Sequence, residues 1–259
     1  MVAILISLLL PALSGAAEAG RTAMCMSNTR QLAIASRSFA HDHDQHLPAA
    51  QGQSLPGGVD SFWYGGGNFS EGTWIPEAGV MHGYLGNADV AGCPSLDDET
   101  RSFQGPVDYA YNVIYLGLIL RDAIERNPRG ERISRARSPS KTVAFYDSGR
   151  VTPNNPASGA FERTAFGFPP SGRFGPEGQS IPVYIPSFHG RHNGGRGVAV
   201  WLDGHVSTRT PVVYEQYTLG LMPQHLERHT LGDIDVDTVR DAPIAIPPGD
   251  ADDVLFDLK

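Results

Sequence analysis

Apolar residues dominate the first thirteen positions of the chain, and from residue 12 to 40 they recur at helical spacing. The first run, MVAILISLLLPAL, is shorter than the about 20 residues that a bilayer-spanning helix needs. A narrow apolar stripe in the second run consists of Cys25, Leu32, Ala35 and Phe39. The pattern therefore predicts one long helix over residues 1–40, apolar at its start and amphipathic towards its end.

Three interpretations of this apolar start are open. A secretory signal would be cleaved near Ala17-Glu18-Ala19, but no positive charge precedes the apolar run. A buried core helix is the second interpretation, although the run shows no polar face. The third is the C-terminal part of a longer membrane helix, and the amphipathic continuation favours it. A helix of that kind is typical of a membrane-anchored or filament-forming subunit.

The rest of the chain alternates short apolar runs with segments rich in Gly and Pro, which number 30 and 20. This composition favours strands and long loops over helices. The predicted strands are 143–148, 198–202 and 212–221, and the apolar run 113–120 is compatible with a strand or a helix. We expect a short helix over 77–85 and an irregular insertion over 151–182. The organisation predicted is a helix (1–40), a globular head (41–222) and an acidic, poorly ordered tail (223–259).

Charge is concentrated at the C-terminus. The net charge is −8, and the segment from Asp233 to Lys259 holds eight Asp against Arg240 and Lys259. The body of the protein is therefore nearly neutral. A neutral body has no basic surface for a phosphate backbone, so nucleic acid is excluded as an expected partner.

The two cysteines, Cys25 and Cys93, are too few for a zinc cage or a disulfide scaffold. They can form one disulfide in an oxidising compartment, closing a loop of about 70 residues and stabilising the fold by about 4 kcal/mol. The alternative is a pair of inert thiols.

The segment Ser187–Val206, SFHGRHNGGRGVAVWLDGHV, carries the densest candidate chemistry. A buried strand is followed by an Asp203-Gly204 turn, which is a strong turn signal. The candidate metal ligands are His192, Asp203, His205 and Asp147, from which a site of two His and one carboxylate can be drawn. The interpretation we favour is structural and needs no metal: a hairpin fastened by polar side chains, in which Arg191 pairs with Asp203 or Asp147.

Two other segments offer candidate sites. Asp42 and Asp44 could hold a metal with nearby His residues, or they could simply end the helix in a solvated turn. Aromatic residues in a Gly-rich context could stack on sugars or cover a small core; they are Trp63, Tyr64, Phe69 and Trp74. Neither a nucleophilic Ser or Cys in a G-x-S-x-G context nor a phosphate-binding loop is found in the sequence.

Several motifs together resemble bacterial type IV prepilin-like proteins and type II secretion pseudopilins. The helix carries Leu8-Leu9-Leu10-Pro11-Ala12-Leu13 and the C-x-S-N-x-R-Q-L signature with Cys25, Asn28 and Arg30. Cys93-Pro94-Ser95 and residues 139–148 match further motifs of the family. Residues 109–112 match its Y-x-x-N motif, so the resemblance predicts a strand there. The subgroup has a C-terminal His, nine residues, Asp-Gly pattern, which His192 and Asp203-Gly204 resemble with ten intervening residues. The family's processing site, a Gly before Phe-Thr-Leu-Ile-Glu, is not found in this sequence.

The resemblance implies an α+β fold in which the long N-terminal helix packs on an antiparallel β-sheet with long irregular loops. It implies a non-enzymatic envelope subunit without a cofactor, single-pass in the inner membrane, with its head in the periplasm or at the cell surface. Its partners would be other pseudopilin subunits. The residues that carry this structural motif are Cys25, Asn28, Arg30, Cys93, His192, Asp203 and Gly204. The alternatives are a glycan-binding module and a metal-dependent hydrolase using the His/Asp cluster.

Overall fold

One long helix and several β-sheets form the protein, which confirms the α+β class. The computed structural model describes residues 2–68, 71–96, 105, 107–117, 129–152, 158–168, 173–174, 181–182, 186–213 and 223–234. The α-helices are α1 (Val2–Asp42), α2 (His82–Leu85) and α3 (Pro223–Arg228). The strands are β1 (His46–Pro48), β2 (Asp60–Phe62), β3 (Gly65–Gly67), β4 (Tyr109–Asn112), β5 (Arg129–Arg132), β6 (Val143–Asp147), β7 (Arg150–Val151), β8 (Phe161–Glu162), β9 (Phe166–Gly167), β10 (Arg173–Phe174), β11 (Ile181–Pro182), β12 (Phe188–His189), β13 (Gly197–Trp201), β14 (Val206–Arg209), β15 (Pro211–Val212) and β16 (Leu231–Ile234).

Helix α1 runs through Pro11 and ends two residues beyond the predicted position 40. It stops where Asp44 and Gln45 adopt positive φ angles of 53° and 67°, which do not continue a right-handed helix. The predicted apolar stripe is confirmed, because its four members are buried: Cys25, Leu32, Ala35 and Phe39. Among the described residues, no helix is both long enough and apolar enough to span a bilayer.

The main sheet has five strands in the order β14-β13-β6-β4-β9. All its pairings are antiparallel except the last, in which β9 runs parallel to β4. The sheet is therefore mixed, whereas the sequence predicted an antiparallel one. The predicted strands at 109–112, 143–148 and 198–202 are confirmed as β4, β6 and β13, within one residue at each end.

Both faces of the main sheet are covered. Val198 and Val200 of β13 join the larger core with Leu32 of α1. Ala199 and Trp201 belong instead to a smaller core with Ile234 of β16. Because side chains alternate between the faces of a strand, a strand covered on both sides is buried throughout, as all five residues of β13 are.

The head extends beyond its predicted boundary at residue 222. Residues 223–234 were expected in a poorly ordered tail, but they form α3 and β16. Strand β16 lies between β12 and β15 in a three-stranded sheet, and all four of its residues are buried. Residues 235–259 lie outside the described residues. Of the strand predicted over 212–221, β15 reaches Val212, and residues 214–222 are also outside them.

The other predicted elements are partly found. The short helix expected over 77–85 is divided into a 3-10 turn at Pro76–Ala78 and α2. The insertion over 151–182 contains short two-residue strands rather than being wholly irregular.

Candidate functional site

A disulfide between Cys25 and Cys93 joins α1 to the head. The two Cα atoms lie 5.4 Å apart, within the usual range for a bridged pair. The disulfide predicted as one of two alternatives is thus confirmed. One turn further along α1, Nδ2 of Asn28 donates to the carbonyl oxygen of Gly92 at 2.9 Å. Helix and head are therefore joined here by a covalent bond and a hydrogen bond.

His192 lies against this disulfide, between the helix and the main sheet. Its Nε2 is 3.9 Å from Sγ of Cys93 and 3.0 Å from Oδ2 of Asp147. Its Nδ1 is 3.2 Å from Oε1 of Glu18 and 3.2 Å from the hydroxyl of Thr22, both on α1. A buried imidazole thus faces a carboxylate on each of its two nitrogens, one from the helix and one from the sheet.

Glu18 connects the helix to the turn that follows Cys93. Its carboxylate accepts from Nε of Arg21 at 2.7 Å and from the hydroxyl of Ser95 at 3.0 Å. Partial burial acts to raise the pKa of Glu18, but hydrogen bonds from Arg21, Ser95 and His192 outweigh it and hold the pKa below its ordinary value. Glu18 is therefore a charged acceptor at the point where α1 first meets the head.

Asp147 ends β6 and is fully buried. Its Oδ2 also accepts from the main-chain N–H of Val198 at 2.6 Å, and its Oδ1 lies 3.8 Å from Nε of Arg191. Arg191 donates in turn to the carbonyl oxygens of Asp108 and Ser148. Of the two predicted partners for Arg191, the structure selects Asp147.

A second buried ion pair, between Asp108 and Arg163, lies next to the Cys93 turn. Asp108 lies 2.6 Å from Nη1 of Arg163, and its Oδ2 accepts from the N–H of Cys93 at 2.7 Å. Burial raises the pKa of Asp108, while Arg191, the Cys93 N–H and Arg163 act in the opposite direction. The turn is thus held by two contacts, the disulfide to Cys25 and the hydrogen bond from the N–H of Cys93 to the Asp108 carboxylate.

Asp203 and His205 lie at the other end of β13 and contact each other. Nδ1 of His205 is 2.7 Å from Oδ1 of Asp203, and both side chains are partly exposed. Burial acts to raise the pKa of Asp203, but hydrogen bonds from the backbone and ring of His205 hold it below its usual range. Gly204 has a φ of +94°, as the predicted turn requires, and Nη1 of Arg37 donates to the carbonyl of Asp203 at 2.9 Å. Helix α1 thus holds the hairpin at both ends.

The metal site drawn from the sequence is not assembled. Asp147 and His192 come together, but Asp203 and His205 lie at the opposite end of β13, so this alternative to the fastened hairpin does not bring its four candidate residues into one site. Within the described residues, the one grouping of three metal-binding side chains is Cys25, Cys93 and His192, whose donor atoms lie within 4.8 Å of one another.

The acidic turn after α1 is dispersed among separate partners. Asp42 accepts from the hydroxyl of Tyr84 at 3.1 Å, whereas Asp44 pairs with Arg129 at 3.4 Å. These contacts favour the interpretation of a helix end over a metal site.

The aromatic residues of the Gly-rich segment pack inward. Trp63 is fully buried and donates from Nε1 to the carbonyl of Ala165 at 3.0 Å. Trp74 is half-buried and stacks on Tyr64 with ring centroids 5.3 Å apart. Trp63 is therefore a core residue and not a sugar platform. Phe69 lies outside the described residues.

Ser95, His192 and Asp147 stand in the order of a hydrolytic triad, since Oγ of Ser95 lies 3.3 Å from Nδ1 of His192. The Ser95 hydroxyl, however, donates to Glu18, and two further oxygens share Nδ1 with it. A nucleophile needs a base free to take its proton. The arrangement therefore fits a fastening between helix and head better than an active site.

Sequence reasoning missed five members of this network: Glu18, Thr22, Ser95, Asp108 and Arg163. One signal was available for the first of them, because Glu18 is the first charged residue of the chain. A carboxylate that interrupts an apolar, Ala-rich helix marks the point where its surroundings change. Asn28 of the predicted motif contacts the head, while Arg30 is exposed on the helix.

Known proteins add nothing to this picture. No protein-family model, curated protein or solved structure matches the chain. The function of the network therefore has to follow from its own contacts.

Proposed function

We propose that the chain is a non-enzymatic, pseudopilin-like subunit of the bacterial cell envelope. The first half of α1 anchors in the inner membrane and packs against other subunits of a type II secretion or type IV pilus-like system. The head faces the periplasm. The observation that carries this proposal is the change along α1 at Glu18, from an exposed apolar segment (9–17) to a segment that is fastened to the head.

The exposed segment of α1 presents apolar side chains to solvent. Leu9, Leu10 and Leu13 are 65%, 60% and 68% exposed, and residues 9–17 all stand clear of the head. Full burial of a leucine side chain is favourable by about 1.5–3 kcal/mol, and a helix projecting alone into water is marginally stable. Lipid or neighbouring helices would supply the missing contacts.

The fastened segment has the properties of an extracytoplasmic protein. A buried disulfide and a network of charged hydrogen bonds fix α1 to the Cys93 turn and to the His192 loop. Structural disulfides persist in oxidising compartments such as the bacterial periplasm. The network is better suited to fixing the helix rigidly to the head than to binding and converting a substrate.

The two alternatives have less support. A glycan-binding module would require accessible aromatic faces, and Trp63 is buried. A metal-dependent hydrolase would require His192 and His205 in one site, and they lie at opposite ends of β13.

Site-specific photo-crosslinking of the full chain in bacterial cells tests the proposal. A photoreactive residue at Leu10 should yield adducts to other envelope subunits or lipid in the membrane fraction. The matched control is Leu55, an exposed apolar residue of the head, which should yield few. The triple variant Leu9→Glu, Leu10→Glu and Leu13→Glu should move the protein to the soluble fraction, whereas Leu55→Glu should not. Soluble wild-type protein without adducts at Leu10 would contradict the proposal.

A further inference from the structure

We propose that the thiol form of this chain binds one Zn²⁺ through Sγ of Cys25, Sγ of Cys93 and Nε2 of His192. Oδ2 of Asp147 stands next to these atoms as the oxygen donor for the fourth position. The same three elements that the disulfide network joins in the oxidised chain would then be joined by a metal ion.

The distances require only small adjustments. Zinc binds sulfur at about 2.3 Å and nitrogen at about 2.0 Å, so tetrahedral ligands lie roughly 3.3–3.8 Å from one another. Nε2 of His192 is already 3.9 Å from Sγ of Cys93 and 3.0 Å from Oδ2 of Asp147. All three principal donors lie within 4.8 Å of one another, and the Cα atoms of the cysteines are 5.4 Å apart. Once the S–S bond is open, rotation of the two cysteine side chains separates the sulfurs.

The second nitrogen of His192 is arranged as in a zinc ligand. Nδ1 faces the Glu18 carboxylate at 3.2 Å, so a proton on Nδ1 would be held there and the lone pair of Nε2 would point to the sulfurs. Histidine ligands of zinc usually donate their other N–H to a carboxylate in this way, which fixes the tautomer and the ring. Ser95 donates to the same carboxylate oxygen at 3.0 Å and orients it.

The electrostatics favour a cation once the disulfide is reduced. Cys25, Cys93 and His192 are buried, and thiolates in such a place are unfavourable without a compensating charge. A divalent ion supplies that charge and keeps the sulfurs deprotonated. Arg191 lies 3.8 Å from Oδ1 of Asp147, on the oxygen that is not needed for the metal.

Reduction of the disulfide takes two electrons and two protons, and the S–S bond breaks to give two thiols. Two molecules of a thiol reductant supply both and become a disulfide. Alternatively, a phosphine supplies the electrons and becomes a phosphine oxide, with the oxygen and the two protons coming from one water molecule. Zn²⁺ then displaces both thiol protons, which pass to solvent. Two cysteines alone are too few for a zinc site, and His192 supplies the third ligand from 99 positions beyond Cys93.

Cobalt substitution of the full chain tests this site. Protein reduced with a phosphine under anaerobic conditions should bind one equivalent of Co²⁺, with thiolate-to-cobalt charge-transfer absorption that Zn²⁺ abolishes. The oxidised protein should show neither. His192→Ala should bind Co²⁺ at least tenfold more weakly, while the control His205→Ala, a histidine at the other end of β13, should match the wild type.

The conservative variant Glu18→Gln keeps all three ligands and should weaken Co²⁺ binding about tenfold with the charge-transfer band retained. If circular dichroism shows that His192→Ala does not fold, the result for Glu18→Gln decides the test. The proposal is overturned if reduced wild type gives no charge-transfer band, whether or not it stays folded. It is also overturned if neither His192→Ala nor Glu18→Gln binds more weakly than His205→Ala.

Discussion

Nδ1 of His192 lies 3.2 Å from Oε1 of Glu18, although 174 positions separate the two residues. The contact joins the first charge of the N-terminal helix to the loop that precedes β13, a fully buried strand of the main sheet. Because Asp147 holds the other nitrogen of the same ring, the helix and the sheet share one side chain. The position of α1 along the head is therefore set by a polar network as well as by its apolar stripe.

Removing the disulfide should destabilise the head substantially. Replacement of both cysteines, Cys25→Ala with Cys93→Ala, frees a loop whose ends are 68 positions apart. On the chain-entropy model the free energy of unfolding should fall by about 4 kcal/mol. Urea titration followed by tryptophan fluorescence, with a chelator present, measures this difference. A loss below about 1 kcal/mol would show that the bridge does not constrain the unfolded chain.

The two Asp–His pairs at the ends of β13 should differ greatly in their contribution to stability. Asp147→Asn removes a buried charge that accepts from the N–H of Val198 and faces the His192 ring, so unfolding should become easier by about 2–4 kcal/mol. Asp203→Asn alters a partly exposed pair and should cost less than about 1 kcal/mol. Chemical denaturation of the two variants gives the comparison, and equal losses would argue against the buried network.

Arg37 should stabilise the hairpin turn locally. Arg37→Ala removes the donor to the carbonyl of Asp203, a loss of about 1 kcal/mol, which corresponds to roughly fivefold faster opening. Amide hydrogen exchange at Gly204, whose N–H donates to the carbonyl of Trp201 at 2.8 Å, reports this opening. Arg30→Ala, an exposed arginine on the same helix, is the matched control and should leave the exchange rate of Gly204 unchanged.

His189 should make the protein sensitive to mild acid. Burial lowers the pKa of His189 to about 2, and the positive charges of Arg191, His229 and His192 add to the effect. Above pH 6.5 the folded and unfolded chains both hold a neutral ring. Below that value the unfolded chain binds a proton at this ring and the native state does not. The free energy of unfolding therefore falls by about 1.4 kcal/mol per pH unit towards pH 2.

Replacing this histidine tests that slope. Between pH 7 and pH 5, His189→Gln should lose less stability than the wild type in urea titrations. The exposed His41 provides the control, because His41→Gln should follow the wild type. An identical slope for His189→Gln and wild type would mean that the buried ring takes no part in acid destabilisation.

The elements that sequence predicted well are those whose pattern is local. The stripe of α1 follows from a 3.6-residue period, and the Asp203-Gly204 turn follows from the φ that glycine adopts. Strand β6 could be recognised by its β-branched and aromatic residues. Each of these signals is contained within a few neighbouring positions.

The features that sequence missed depend on distant pairings. The parallel alignment of β9 with β4 cannot be read from two residues, Phe166 and Gly167. Strand β16 looked like the start of an acidic tail because Asp233 precedes a run of acidic residues, yet Asp233 is buried between β12 and β15. The candidate site was half anticipated: His192 and Asp147 were paired, whereas Glu18 and Ser95 reach the same ring from remote segments.

The disulfide also determines the path of mechanical force through the molecule. Tension applied to the first turns of α1 travels along the backbone to Cys25 and crosses the S–S bond to Cys93. The intervening chain, which includes the second half of the helix and the Gly-rich loops, lies inside a closed covalent ring and outside the covalent path of the load. While the S–S bond is intact, a subunit pulled by its N-terminus would thus keep its stripe packed on the sheet even if the chain beyond Cys93 were extended.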